Sequence, residues 1–545
     1  MYRKLLGLVA VLLFVVSICG CGNQETPSSG EGSAATVKSQ DTTTNAASEQ
    51  VTTDQVSSEA TGDGDAYHVT WEDMADVNVI FCSMGPAGTG VQAVADEINK
   101  ITEENNIHVN LTQMDIGSYE QQISLILSSS EPVDLLITLP GGPCSFSTMG
   151  AQGQLRDITD LMSEYAPKTL AGIGDFMRGT TLNGKIYGVT CFKNFVGGIY
   201  IHMRTDVLTD LGLLEKAENM TTLTEYEEIL EAVKNSEKWN NLSGVGCKIA
   251  ALQNAYLDAD EFAKCTYCDN LGDTQFLVAV DPSGQDKTVR LNYETEAYKK
   301  TVDRFKSWYD KGYMYKDIGI TQEGPSELVK SNVIFSYIVQ GEKGPGTSAS
   351  CGMPMTSVKI MDLPISTGSI TKFTWAVPST AKSPEAAVTF LEMMFTDSKI
   401  ANLMAWGIEG VDYALDDQGI AHYIEGNENP AYHGADYLTV NKFIVAPWEG
   451  SPADLGKQDA EIMEHAILTP YLGFMCNTSD ISTQTSMVSN IVVEYDSQVG
   501  TGMADDAIYN EFIEKLKSSG AEDIVAQYQL QLDQWMTEYG DGNGR

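Results

Sequence analysis

The sequence predicts a large α/β protein that ends in a helical region, and two patterns carry that class. Between Val77 and Leu139 short apolar or alternating runs take turns with amphipathic stretches. That order gives parallel strands with helices packed on their faces. From Ser482 onward nearly all of the chain has helical spacing instead.

The elements come in this order. Val77–Cys82 (VNVIFC) reads as a strand, and Thr89–Thr102 as a helix with Val91, Val94, Ala95 and Ile98 on one face. Ile107–Met114 alternates as a second strand. Ser118–Ser128 places Tyr119, Gln122, Ile123 and Ile126 on one helix face, and Val133–Leu139 is a third, short strand. Gly184–Thr190 and Gly198–Met203 are further strands, with a helix starting at Arg204. Thr222 and Glu225 form a capping box that opens a helix through Val233. Tyr293–Lys311 is a long amphipathic helix, and Ser331–Val339 and Phe373–Val377 read as buried strands. Ser383 is placed to cap a helix with Pro384 at its first position, running over Glu385–Phe395. The tail reads as the helices Ser482–Glu494, Ala504–Ser518 and Ala521–Met536.

Charge excludes one class of function. Of 545 residues 34 are Lys or Arg and 75 are Asp or Glu, a formal net charge of −41. Such a surface repels phosphate backbones and anionic headgroups, so no nucleic-acid partner is expected. The +2 on Met1–Gly20 and −7 on Gly22–Ala66 leave −36 on Tyr67–Arg545, which is long enough to bury a large core.

The first twenty residues read as a secretory signal: Arg3 and Lys4, an apolar run from Leu5 to Val16, then small residues. Ile18–Cys21 (ICGC) resembles the bacterial lipobox, which implies cleavage before Cys21 and acylation of that residue. Gly22–Ala66 has no aromatic residue and no Leu, Ile or Met. A segment of that composition stays unfolded and tethers the body from Tyr67 onward, with an r.m.s. reach of about 35–40 Å. No later stretch is long and apolar enough to span a bilayer, so the lipid is the expected membrane attachment.

No catalytic constellation stands out. Gly85–Gly90 (GPAGTG) lies between a strand and a helix, but Val91-Gln92 comes next where a phosphate loop needs Lys-Ser/Thr, and the dinucleotide spacing is reversed. It reads as a tight turn feeding exposed N–H groups at a helix N-terminus, a place to meet a ligand's oxygen atoms. Cys265 and Cys268 have no second ligand pair nearby, and there are six His in all, so no metal site is expected. A local disulfide or two free thiols both fit, and the state of the eight body cysteines is open. HExxH, GxSxG and EF-hand patterns are absent, no cofactor is implied, and no acidic pair is singled out for glycoside hydrolysis. Aromatics are more telling: Trp375, Trp406 and Trp448 stand at strand ends or in Gly/Pro-rich loops. Sugar rings stack on such faces, which makes a carbohydrate the natural ligand.

Four blocks then carry a family resemblance. Leu182–Val189 (LNGKIYGV) is similar to a recurrent strand of the extracellular solute-binding lipoproteins of bacterial ATP-binding-cassette (ABC) importers, with Thr190 where proline is usual. Ile199–Leu213 with Thr222–Tyr226, Ala376–Ala387 with Trp406–Gly410, and Leu472–Phe474 with Val488–Tyr495 resemble further segments of the large sugar-type, family 1-like, Gram-positive subgroup. The resemblance implies a two-lobed, type II periplasmic-binding-protein-like α/β fold with a helical C-terminal region, which closes about a hinge on its solute. It implies this division: 1–20 signal, 21–66 lipidated Cys and tether, 67–190 first lobe, 191–365 second lobe, 366–440 first-lobe return with cleft loops, and 441–545 second-lobe return with the C-terminal helices. It also implies a non-enzymatic protein lipid-anchored at the outer face of the cell membrane, with an oligosaccharide as solute and ABC permease subunits as partners. A surface glycan adhesin or a secreted polysaccharide-active enzyme are the alternatives, and a uronate or peptide the alternative ligands. Strand-end loops point to Ser83, Met84 and Gly85 and to Leu139, Pro140 and Gly141 as ligand contacts. The first crossover adds Lys193 and Asn194, the glycine-glutamate loop adds Trp406 and Glu409, and Trp375 and Trp448 are the expected platforms.

Overall fold

The computed structural model describes residues 71–540, apart from 130, 274, 342–344 and 428. The signal, the tether and Cys21 lie outside the described residues. The described residues fall within one compact unit, Gly62–Arg545.

Two sheets organise this unit. In the first, Ala75–Ser83 lies between Ile107–Asp115 and Leu135–Thr138, parallel to both. Thr374–Ala376 joins antiparallel to Leu135–Thr138 and also pairs with Val189–Thr190. The second sheet runs in the order Met355–Asp362, Gly198–Arg204, Ile334–Gly341, Ser243–Val245. Its Gly198–Arg204 strand is antiparallel to both neighbours. Each sheet builds its own core. The first gathers Val79, Leu136, Trp375 and the helix Pro384–Thr396. The second gathers Ile201, Phe335 and Trp308 with Phe512, Leu516 and Leu532 of the tail helices Asp506–Ser518 and Ala521–Tyr539. The fold is α/β, with many helices around two mixed sheets.

The chain passes between these cores three times: through 191–197, through 363–373, and through the stretch after Val440 that ends at Tyr471–Phe474. Where the passages meet, Phe195, Ile365, Ile370 and Leu472 make a small third core. Gly179 faces Ile370 there, and a Cβ on it would come within 2.6 Å of the Ile370 side chain. Gly473 has φ +98° and would bring a Cβ within 2.8 Å of the Arg178 carbonyl oxygen. Glycine is needed at both places, on steric grounds at the first and on both grounds at the second.

Most expected elements form within a residue or two, with informative departures. Gly184–Thr190 is not one strand: Lys185–Ile186 turns back on Thr181–Leu182, and only Val189–Thr190 joins the main sheet. The break falls at Gly188, where a Cβ would lie 2.6 Å from Thr374 Cγ2 and 2.8 Å from the Trp375 carbonyl oxygen. The Thr222–Glu225 capping box is present. Ser383 makes no side-chain cap. Instead its backbone N–H and that of Lys382 donate to Asp134 Oδ1, at 2.9 and 2.8 Å.

The eight described cysteines are free thiols, Cys265 and Cys268 included. Burial pushes the thiols of Cys268 and Cys476 up to about 12 and those of Cys82 and Cys144 up to about 11. A thiol reacts as thiolate. Native protein at pH 8 is therefore expected to react far more slowly with a thiol-specific disulfide reagent than unfolded protein does. Equal rates in the two states would contradict the buried placement.

Candidate functional site

The strand directions place the site. Ala75–Ser83, Ile107–Asp115 and Leu135–Thr138 end on one edge of the first sheet, and Thr374 pairs there with both Thr138 and Thr190. The first two passages therefore leave from and return to that edge. In the second sheet Gly198 opens its strand opposite the last residues of two others, Gly341 and Asp362. Both sheets thus turn the C-terminal ends of their parallel strands towards the crossing segments, the edge at which open α/β sheets bind ligands.

Several expected residues sit on this edge in supporting roles. The Ser83 hydroxyl donates to the Gly85 carbonyl oxygen and, at 3.3 Å, to that of Met114, which pins the turn. Met84 is 57 % exposed. The glycine-rich turn does not offer all its amides outward: Gly88 N–H donates to Gln113 Oε1 at 2.7 Å and Gly90 N–H to the Ala431 carbonyl at 2.9 Å. Those two donors are spent holding the turn in place, the second of them on the 431–432 backbone. The Leu139 side chain is buried, while Pro140 is exposed and Gly141 half-buried. Lys193 is half-buried, with its Nζ 5.3 Å from the centre of the Tyr437 ring.

Three expected contacts are corrected by burial. Asn194 is 8 % exposed; its Nδ2 donates to Asp459 Oδ1 at 3.0 Å and its Oδ1 accepts from Val196 N–H. It clips the first passage to the helix Leu455–Glu464 and does not face a cleft. Trp375 lies inside Thr374–Ala376, fully buried, with Nε1 donating to the Thr439 carbonyl at 2.7 Å. Trp406 is the last residue of the helix Ser398–Trp406, 4 % exposed, with Nε1 donating to the Ala446 carbonyl. Neither indole has a free face to stack on.

Trp448 is half-buried against Trp406 at 4.7 Å, His433 at 4.6 Å and Tyr423 at 4.9 Å. The His433 imidazole is held below its ordinary range by burial, against the pull of Asp412. Glu409 is exposed, and its backbone bridges to Tyr413. Trp406 and Trp448 thus belong to one aromatic cluster, Glu409 follows Trp406 by three residues in the chain, and Trp375 belongs to the strand interior.

A belt that tryptophan positions alone do not reveal runs along the passages. Phe192 lies 5.0 Å from Phe443 and 6.0 Å from Phe195, and Phe195 lies 5.4 Å from Phe176. Phe373 meets Tyr437 at 6.3 Å. Phe192, Phe373, Tyr437 and Phe443 are half-buried, so each keeps some ring surface for a ligand. The Tyr437 hydroxyl is raised by burial, then by Asp436 and Cys82, which ties it to the end of the first strand. The sequence holds one signal for the belt: Phe192 and Phe195 flank Lys193 and Asn194 at the first crossover. Among the described residues no group of three or more His, Cys, Asp or Glu is placed to hold a metal ion.

Two α/β lobes joined by several passages, with strand ends and aromatic rings gathered where they meet, define the class of two-lobed solute-binding proteins. Residues 96–409, more than half of the chain, match the family of bacterial extracellular solute-binding proteins, and the chain belongs to that family. Residues 470–537 match a domain of unknown function, DUF3502. The chain is 22 % identical over 455 residues to the carbohydrate ABC transporter substrate-binding protein of Streptococcus pneumoniae serotype 4, covering 80 % of this chain and 87 % of that one. It is 20 % identical to the lipoprotein LipO of Bacillus subtilis, covering 76 % and 84 %. The crystal structure of the N-glycan transport solute-binding protein NgtS from Streptococcus pneumoniae superposes with a TM-score of 0.72 at 20 % identity, covering 85 % of this chain and 99 % of that one.

Proposed function

We propose that this protein captures an extracellular oligosaccharide for an ABC importer by closing its two lobes around it. The lobes divide as 67–190 with 366–440, and 191–365 with 441–545. The observation that carries the reading is the half-buried aromatic belt, Phe192, Phe373, Tyr437 and Phe443, at the edge where both sheets end. Sugar faces stack on such rings, and only a closed form lets both lobes touch the ligand at once, so binding shifts the population towards closure. The structural likeness supports it: NgtS has also been crystallised with Man5GlcNAc, and that form superposes with a TM-score of 0.63. No bond in the solute is broken in this reading. The pocket edge reads the ring, with Lys193 and the Met84–Gly85 and Pro140–Gly141 turns at its margin, and Trp448 and Glu409 on the outer rim.

The anchor belongs to the same proposal. Cys21 is acylated and Gly22–Ala66 tethers the body at the outer membrane face, where it meets the permease subunits; the relative named as a lipoprotein supports this. Cys21→Ala is expected to release the protein into the medium or leave it unprocessed. Lipid labelling of that variant at the wild-type level would contradict the anchor.

A thermal-shift screen over neutral oligosaccharides, uronates and peptides tests the ligand class. A ligand present at 100 times its Kd adds about 2.7 kcal/mol to stability. With the best ligand in hand, Tyr437→Ala and Phe443→Ala are expected to weaken binding by about 1–3 kcal/mol each, roughly 5–150-fold in Kd. Wild-type affinity in both, measured by calorimetry, would contradict the stacking site.

A further inference from the structure

Two charged side chains sit among the rings of the aromatic belt. Asp436 precedes Tyr437 in the short helix Asp436–Thr439, and Lys442 precedes Phe443 in the turn Lys442–Ile444. Their charged ends meet, with Lys442 Nζ 3.7 Å from Asp436 Oδ2. Belt residues hold both ends of this pair. Lys442 N–H donates to the Phe192 carbonyl at 2.8 Å, and the Phe443 ring lies 5.0 Å from that of Phe192. Tyr437 lies 6.3 Å from Phe373 and 5.3 Å from Lys193 Nζ, and its hydroxyl is raised by burial and then by the charge of Asp436.

The pair is incomplete as a hydrogen bond. A charge-assisted N–H···O bond closes to about 2.7–2.9 Å, and 3.7 Å is too long for one. Neither side chain makes a hydrogen bond elsewhere among the described residues. Both are nevertheless largely withdrawn from water, with side-chain exposures of 21 % for Lys442 and 16 % for Asp436. A carboxylate is an acceptor on both oxygens and an ammonium donates three bonds, so most of this capacity is unspent. Polar groups in that state need a partner once the remaining water is expelled.

The chemistry of the partner follows from the pairing. A carboxylate beside an ammonium suits a neutral group that donates and accepts at once. Two hydroxyls on adjacent ring carbons are such a group: one donates to Asp436, and the oxygen of the other accepts from Lys442. A sugar ring lying on Tyr437 or Phe443 brings its edge to this pair, because each charged residue adjoins one of those rings in the chain. Stacking reads the face of a ring, and the pair reads its edge.

We infer that Asp436 and Lys442 hydrogen-bond two adjacent hydroxyls of the stacked sugar ring and make the site specific for a ring with both hydroxyls free. The inference rests on the proposed oligosaccharide capture and names the polar half of that same site. A ring that lacks either hydroxyl leaves one charged group unpartnered when the lobes shut, and is rejected for that reason.

The test uses calorimetry on the complete body, first with malto-, cello-, manno- and xylo-oligosaccharides of two to six residues. The tightest of them is followed by its analogues lacking one hydroxyl at a time. Wild type is expected to lose about 10-fold in affinity for each hydroxyl of one adjacent pair. Asp436→Ala and Lys442→Met are expected to bind the parent sugar about 10–100-fold more weakly, the loss of a hydrogen bond to a charged group. Each variant should also stop distinguishing the parent from the analogue without the hydroxyl it had met, which a role in shape alone would not produce. Wild-type affinity in both variants, with Phe443→Ala weakened, overturns the pair as a hydroxyl reader and leaves the function standing. Weaker binding with every analogue penalty retained also overturns it. No binding of any of these sugars to the wild type overturns both readings.

Discussion

Trp375→Ala is expected to destabilise the first lobe by about 3–5 kcal/mol, the range for emptying a buried tryptophan site. The side chain is fully buried, the residue pairs with Ile137 on one neighbouring strand and with Val189 on the other, and its indole N–H is held by the Thr439 carbonyl. Removing it leaves a cavity and an acceptor without its donor. The midpoint of chemical unfolding would report the loss. An unchanged midpoint, with only sugar affinity reduced, would return Trp375 to the role of a stacking platform.

Asp134→Ala is expected to cost a similar amount, about 3–5 kcal/mol, for a different reason. The Asp134 carboxylate is 1 % exposed and accepts four hydrogen bonds. Two come from Asn78, backbone N–H at 3.0 Å and Nδ2 at 2.9 Å, and two from the backbone N–H groups of Lys382 and Ser383. It therefore ties the first strand to the N-terminus of the helix Pro384–Thr396, whose positive end favours an anion. Alanine leaves three backbone donors without acceptors. Asp134→Asn keeps the shape but loses the charge and two acceptor sites, and is expected to fall between wild type and alanine. A loss under about 1 kcal/mol for alanine would show that water replaces the carboxylate at little cost.

These two residues also show what the sequence could and could not reveal. Strands and helices are legible because alternation and 3.6-residue spacing are local: Ala75–Ser83, Ile107–Asp115 and Glu296–Asp310 lie close to their expected bounds. The expected cap at Ser383 does not form because the acceptor at that helix end, Asp134, is remote in the chain. Trp375 is hidden for a related reason. An aromatic residue in an apolar run looks the same whether its strand is central or at a cleft, and here strands on both sides cover it. The glycine-rich segment is recognisable as a turn, but two of the amides expected to meet a ligand are taken by Gln113 and Ala431. Of the candidate site, the strand-end turns and Lys193 are legible from element order. The belt is not, since Phe192, Phe373 and Phe443 come from three separate passages, and Phe192 reaches Phe443 and Phe373 reaches Tyr437 only after folding.

The central claim, capture of a neutral oligosaccharide by closure of two lobes, is tested most directly by small-angle scattering of the anchor-free body with and without a saturating sugar ligand. The account predicts a smaller radius of gyration in the bound form, because contacts from both lobes exist together only when the cleft is shut. Calorimetric binding with an unchanged radius would contradict it.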